Sequence, residues 1–213
     1  DRLIAILGAR GVGKTTLVLQ HIKLYEDVGT SLFVYADDLW FSTHSSVELA
    51  ETFYKNGGKV LYIDEIHKYR NWSQEIKNIY DSYADLKVRY TGSSILDLQK
   101  GSHDLSRRVL EYSMHGLSFR EYVALNYGVD MPIHTLEQIL AGNIDFPYTD
   151  YRPIALFKEY LRKGYYPYFK EPGYELRLEK TIQAILEVDI PKFAELSVSA
   201  AEKLKMLLYI IAQ

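Results

Sequence analysis

Gly8-Ala9-Arg10-Gly11-Val12-Gly13-Lys14-Thr15 satisfies every specified position of G-x-x-x-x-G-K-[ST], a spacing whose chemistry is the cradling of phosphate. A triphosphate is compact and highly anionic. A loop that holds one surrounds it with backbone N–H groups and aims the positive end of the following helix at it. Gly8, Gly11 and Gly13 permit backbone angles and close approach that a Cβ would block. Lys14 supplies a point charge for the β- and γ-phosphates, and the Thr15 hydroxyl suits a Mg²⁺ ion. Gly8, Ala9, Arg10, Gly11, Val12, Gly13, Lys14, Thr15 and Thr16 are therefore the expected nucleotide-contacting residues. The competing reading is a glycine turn that happens to contain a lysine, and such a match arises by chance in roughly one chain of this length in a hundred.

Val60-Leu61-Tyr62-Ile63 is an apolar, strand-like run that ends in Asp64-Glu65. Open α/β sheets place their ligands at the carboxyl ends of strands. Asp64 is expected to hold Mg²⁺ together with Thr15, and Glu65 to act as the base that orients the attacking water. Alone, an acidic pair after an apolar run is a weak signal, because such pairs often face solvent at helix N-termini. The upstream loop makes it a strong one. Thr91-Gly92-Ser93-Ser94 follows the alternating stretch Leu86-Lys87-Val88-Arg89-Tyr90, and Ser93 or Ser94 would position water or sense phosphate loss. An ordinary Gly-Ser turn is the alternative. Arg107 and Arg108 precede Val109-Leu110-Glu111-Tyr112, and Arg108 ranks slightly ahead as an arginine finger acting in cis or on a neighbouring subunit. A surface pair beside Asp104 and Glu111 is the alternative there.

Weaker candidates surround these. Asp37 and Asp38 could act on the metal or water through intervening groups, though strand-end acids are more often solvated. His67 could reach a substrate or a DNA phosphate, against the plainer reading of a surface loop histidine. Trp40, Trp72 and the nineteen tyrosines raise the possibility of base stacking, with Tyr165-Tyr166-Pro167-Tyr168 the densest group. No basic residues interleave with them, which favours packing. The six histidines show no metal-ligand spacing.

Elements that could position these groups are legible in the apolar periodicity. Leu3-Ile4-Ala5-Ile6-Leu7 reads as a buried strand, followed by a helix from Thr15 to about Asp27. Ser31-Leu32-Phe33-Val34-Tyr35 reads as a strand, and Ser46 as the cap of a helix that Asn56-Gly57-Gly58 stops. A helix from about Trp72 to Tyr83 follows the acidic strand. Ser118 and Glu121 form a capping-box pattern. After about residue 126 the pattern is helical only: Pro153 opens a helix closed at Gly164, and another runs from about Glu175 to Val188. The alternation of strand and helix predicts a parallel, doubly wound sheet.

The combination of GARGVGKTTL, YADD, LYIDEIHKYRNW, RYTGSS and LSFREY resembles a group of bacterial and archaeal predicted ATPases of the AAA+ type, related to STAND and MNS-like NTPases. The resemblance is firm over the first 125 residues and looser beyond. It implies an α/β P-loop NTPase core of the ASCE, AAA+-like class: a parallel sheet flanked by helices, with the sensor strand between the P-loop strand and the acidic strand, followed by a helical lid domain. The Walker loop, the acidic segment, the TGSS sensor and the LSFRE segment fall here at Gly8 to Thr15, Ile63 to Trp72, Thr91 to Ser94 and Leu117 to Glu121. The group often carries a Gly-Arg pair after the sensor, and Arg107-Arg108 lacks that glycine. The expected division is a core over residues 1–125, a lid over 126–195, and over 196–213 the opening of a winged-helix domain. The last of these rests on the amphipathic stripe Leu204, Leu207, Leu208 and Ile211, with a helix docked back on the core as the alternative. The expected cofactors are ATP and Mg²⁺. Adenine is implied by the resemblance, and no guanine-reading N-K-x-D motif is present. An oligomer, and a DNA or protein partner engaged through a further C-terminal region, are also expected.

Composition sets the outer limits. The chain has 213 residues, enough for one sizeable core and a smaller appendage. A hydrophobic share of 47% with 25% charged residues is that of a globular domain. With no cysteine there are no disulfides or thiolate metal sites. No apolar run is long enough to cross a bilayer, and with no signal peptide a cytoplasmic location is expected. The net charge of −3 creates no global field toward nucleic acid.

Overall fold

Each short apolar run becomes a strand, and the segments of helical period between the runs become crossovers. The computed structural model describes residues 1–93, 105–144, 152–190 and 198–211. Its strands are β1 (Leu3–Gly8), β2 (Ser31–Tyr35), β3 (Val60–Asp64), β4 (Lys87–Gly92) and β5 (Leu110–Met114). Every pairing is parallel, and the order across the sheet is β2-β3-β4-β1-β5. The acidic strand β3 therefore lies one strand away from β1, with β4 between them, as the resemblance implied. Parallel register requires crossovers. Among the described residues, those from β1 to β4 are α1 (Lys14–Tyr25), α2 (Ser46–Lys55) and α3 (Trp72–Ser82).

Burial explains the order. β3 is buried along its whole length, as expected of a central parallel strand covered on both faces. On one face, Leu3, Ala5 and Leu7 join Leu61, Ile63 and Val88 against Ile76 and Ile79 of α3 and Ala50 of α2. On the other, Val60 and Tyr62 pack with Val18 and Ile22 of α1 and with Phe33. Gly8 ends β1 where no side chain fits, since a Cβ there would lie 2.2 Å from the Met114 carbonyl oxygen of β5.

Contacts divide the chain into two compact units, Asp1–Met114 with Glu175–Gln213, and His115–Tyr174. The second contains α4 (Phe119–Tyr127), α5 (Leu136–Leu140) and α6 (Pro153–Lys163) around buried Tyr122, Val123, Val129 and Phe169. Its tyrosine-rich stretch packs on itself: the Tyr166 ring lies 5.1 Å from Tyr165 and 5.2 Å from Tyr168. In the first unit α7 (Tyr174–Ala184, entering from the boundary) and α8 (Val198–Ile211) complete the described residues. On α8, Leu207, Leu208 and Ile211 of the expected apolar stripe are exposed. No helix among the described residues is long and apolar enough to cross a membrane.

Local details depart from expectation in two places. Ser45, not Ser46, caps α2, because Ser45 and Glu48 satisfy each other's backbone N–H groups in a capping box. Ser46 is buried and donates from its N–H and hydroxyl to Glu75 Oε2 at 2.8 and 2.7 Å, tying α2 to α3. The helix expected to reach Val188 is α-helical only to Ala184 and continues as a π-helical turn, Ile185–Asp189. The Ser118–Glu121 capping box, the start at Pro153 and the closure at Gly164 are as expected.

Candidate functional site

The loop from β1 to α1 turns through Gly11 at φ 83° and Gly13 at φ 103°, angles that side chains disfavour. Gly13 occupies the N-cap position, so no side chain caps α1, and its first turn carries no acid. The first-turn N–H groups of α1 are orphans by helix geometry and carry the positive end of the dipole. Val12 is buried and anchors the loop. Lys14 is 9% exposed, and its ammonium donates to the carbonyls of Gly8 and Ala9 at 2.8 and 2.9 Å. Burial pushes its pKa below the ordinary lysine value, against the attraction of Glu65 and Asp64.

Asp64 ends β3 with 2% exposure. It accepts from the Thr15 hydroxyl at 2.7 Å and, through its other oxygen, from the Thr91 hydroxyl. Thr91 in turn accepts from the Glu65 N–H at 3.0 Å. Pairing of Ile63 with Tyr90 sets this arrangement, since the next residues along β3 and β4 are Asp64 and Thr91. Two acids and two hydroxyl groups, from three elements, thus meet beside the loop.

Glu65 holds a left-handed backbone, φ 52° and ψ 45°. Its carboxylate pairs with Lys68, which also donates to Asp37 Oδ2 at 2.7 Å. Burial opposes the Lys68 charge, but the hydrogen bonds to Asp37 and Glu65 outweigh it and raise the lysine pKa. Ser93 is buried and lines, with Arg10, Lys14, Glu65, His67 and Asp189, a cavity of about 10 Å³. His67 thus faces the site rather than open solvent, and burial lowers its pKa against the pull of Glu65 and Asp189. Ser94 and Asp104 lie outside the described residues.

Of the remaining candidates, Asp38 caps a short 3-10 turn by accepting from the Trp40 N–H at 2.8 Å. Trp40 stacks on His44 with centroids 4.3 Å apart, and Trp72 is in the core. Arg108 is not brought to the loop. It pairs with Asp81 at 3.0 Å, at the amino ends of the strands where Arg2 also bonds the Tyr80 and Tyr83 carbonyls. Arg107 is exposed nearby. Two residues at the site were not expected from sequence. Thr91 was within the quoted RYTGSS segment, but only register reveals its role. Asp189 is an acid in the largely apolar stretch Ile185 to Ile190, and it forms a two-point ion pair with Arg10 of the loop.

A family model described as an AAA domain matches residues 1–123. An uncharacterized protein of Methanocaldococcus jannaschii is 30% identical over 230 residues, covering 99% of this chain and 48% of that protein. The chain thus spans about half the length of that curated relative. Among solved structures, a cryo-EM reconstruction of Hsp104 in its closed state with ATPγS and FITC casein is similar at 18% identity. That likeness covers 59% of this chain and 26% of the other, with a TM-score of 0.44. The residues matched by the family model contain all five strands, the glycine loop and the Asp64-Glu65 pair, and they make up more than half of the 213 residues. The chain belongs to the AAA domain family of P-loop ATPases.

Proposed function

We propose that the chain binds ATP with Mg²⁺ and hydrolyses it, coupling turnover to motion between the core and the helical region. The observation that carries this reading is the Thr15–Asp64 hydrogen bond, 2.7 Å long, beside Lys14 and an uncapped helix N-terminus. A hydroxyl and a carboxylate are hard oxygen donors of the kind Mg²⁺ accepts. Among the described residues no group of three or more His, Cys, Asp or Glu is placed to hold a metal. A two-donor set suits Mg²⁺ at triphosphate sites, where phosphate and water complete the octahedron. Thr15 and Asp64 would hold such an ion, which would supply charge neutralisation for the phosphate oxygens.

In this reading Lys14 exchanges its two loop carbonyls for phosphate oxygens. Gly8 to Thr16 offer backbone N–H groups, and Thr15 and Asp64 hold the metal. Glu65 orients the attacking water once it is released from Lys68, and Ser93 responds to the γ-phosphate. Arg108, placed far from the loop of its own chain, would serve as an arginine finger only toward a neighbouring copy. A cytoplasmic location, an oligomer, and a DNA or protein partner met through a winged helix opening at residues 196–213 belong to the same proposal.

A second reading is a nucleotide-gated switch that turns over slowly. The engagement of Glu65 by Lys68, which Asp37 also holds, favours it, because a carboxylate tied to a lysine is not placed to orient water. The deciding experiment is Mg²⁺-dependent phosphate release together with binding titrations. For the ATPase, Lys14→Ala loses binding, while Glu65→Gln binds ATP and loses turnover by at least about a hundredfold. Tight binding without turnover in the wild type would favour the switch, and absence of binding would remove both.

A further inference from the structure

Asp189 is one of the six residues around the small cavity, and phosphate-loop chemistry does not call for it. Asp189 is an acid, it is buried, and it reaches the loop from the π-helical turn Ile185–Asp189, 179 residues away in sequence. Its two oxygens both accept from Arg10, from Nη2 at 2.9 Å and from Nε at 3.2 Å. The Asp189 side chain is 10% exposed and that of Arg10 40%, so the carboxylate is the more desolvated partner. Carboxylate and phosphate present the same two-point face to a guanidinium fork.

We propose that Asp189 occupies the place of a γ-phosphate, and that the Arg10–Asp189 pair is a latch opened by triphosphate. This deepens the nucleotide reading above and rests on it. The cavity between these side chains is small, about 10 Å³, of the order of one water. A γ-phosphate that enters it beside Lys14 meets two carboxylates, Glu65 and Asp189, and Asp189 is the one that holds Arg10 of the loop. Arg10 then turns its fork to the phosphate, and Asp189 is left as a buried carboxylate without its counter-charge. That state is strongly unfavourable, so the carboxylate moves out. The turn that carries it is already distorted from α-helical bonding, a feature common at functional sites. A further tie, Lys205 to Glu187 at 3.1 Å, is exposed and adds little. Release of Asp189 thus frees the segment that follows α7. A diphosphate, held by the loop N–H groups and Lys14, makes no such demand on Arg10.

Coupling of this kind is reciprocal: if triphosphate drives Asp189 out, Asp189 weakens triphosphate binding by the same factor. The test uses the whole chain and titrates a non-hydrolysable ATP analogue and ADP, both with Mg²⁺. Wild type, Lys14→Ala, Asp189→Asn, Arg10→Ala and the Arg10/Asp189 double variant are compared. Asp189→Asn is expected to tighten the triphosphate about tenfold and ADP less than about twofold, since one charge-assisted pair is at stake. In the Arg10→Ala background the same substitution should tighten the triphosphate clearly less, because the carboxylate is no longer held at the loop. Amide exchange across residues 185–190 of the wild type should rise with the triphosphate and not with ADP. That measurement needs no variant, so it tests the latch even if Asp189→Asn does not fold. Weaker triphosphate binding by Asp189→Asn, equal gains for both nucleotides, or a gain undiminished without Arg10 would overturn the latch. If the wild type binds triphosphate through Lys14 and exchange at 185–190 is unmoved, the latch alone falls. If neither the wild type nor Asp189→Asn binds, the nucleotide reading falls and the latch with it.

Discussion

A single hydroxyl, that of Thr91, joins the two acids of the site. It donates to Asp64, accepts from the Glu65 N–H at 3.0 Å, and belongs to a residue 1% exposed. Thr91→Val preserves the shape and strands both partners in a buried place. We expect a loss of about 1–3 kcal/mol of stability in urea denaturation, with a weaker Mg²⁺ dependence of nucleotide binding, while Thr91→Ser keeps most of both. A valine variant as stable as the wild type would show the hydroxyl to be idle. Sequence reasoning reached Ser93 and Ser94 in the same segment and passed over Thr91, because a hydroxyl's partner on a neighbouring strand is a matter of register. The loop residues were legible for the opposite reason: their partners are their own neighbours. Arg108 shows the converse limit. Its position between sensor and strand suggested a finger, yet parallel topology puts the start of β5 at the far end of the sheet from the loop.

At the scale of elements, α1 must hold the loop steady, and its far end is pinned by a polar group rather than by apolar packing alone. Glu26, just beyond α1, accepts from the Tyr62 hydroxyl of β3 at 2.8 Å and from Arg89 of β4 at 2.6 Å. Burial alone would raise the Glu26 pKa, but the Tyr62 hydrogen bond and the charge of Arg89 prevail and hold it below the ordinary glutamate value. A depressed folded pKa means stability that is present above the unfolded value and lost as pH falls through the folded one. Melting temperature should therefore fall with pH below about 4.5, and Glu26→Gln should fall less steeply over that range. Equal acid limbs in the two proteins would sink this account. The sequence showed α1 and the alternation in β4, but a charged residue in a central strand has no visible partner until three elements are assembled. Capping shows a similar limit at shorter range: Ser45 and Ser46 both suit the position, and the contact of Ser46 with Glu75 of α3 decides between them.

Across the whole molecule, residues 115–174 contain a core of their own, with Tyr122 fully buried against Phe169 at a ring distance of 4.9 Å. Removing that ring should destabilise this unit by about 3–5 kcal/mol. Tyr122→Ala is thus expected to lose amide-exchange protection in α4 and α6 while β1, β3 and β4 keep theirs. Loss of protection everywhere at once would mean that the two units unfold as one. The sequence by itself determined the glycine loop between strand and helix, the acidic strand end, the parallel α/β class and the helical character of the described residues after about residue 126. Each of these is written in local periodicity or in spacing along one stretch of chain, where backbone geometry alone relates the residues. Tertiary structure decided which acid meets Thr15, what occupies Glu65, where Arg108 lies, and that Asp189 closes on Arg10 across 179 residues. Those are pairings between distant segments, and they arise from strand order, register and burial, none of which is a property of neighbouring residues.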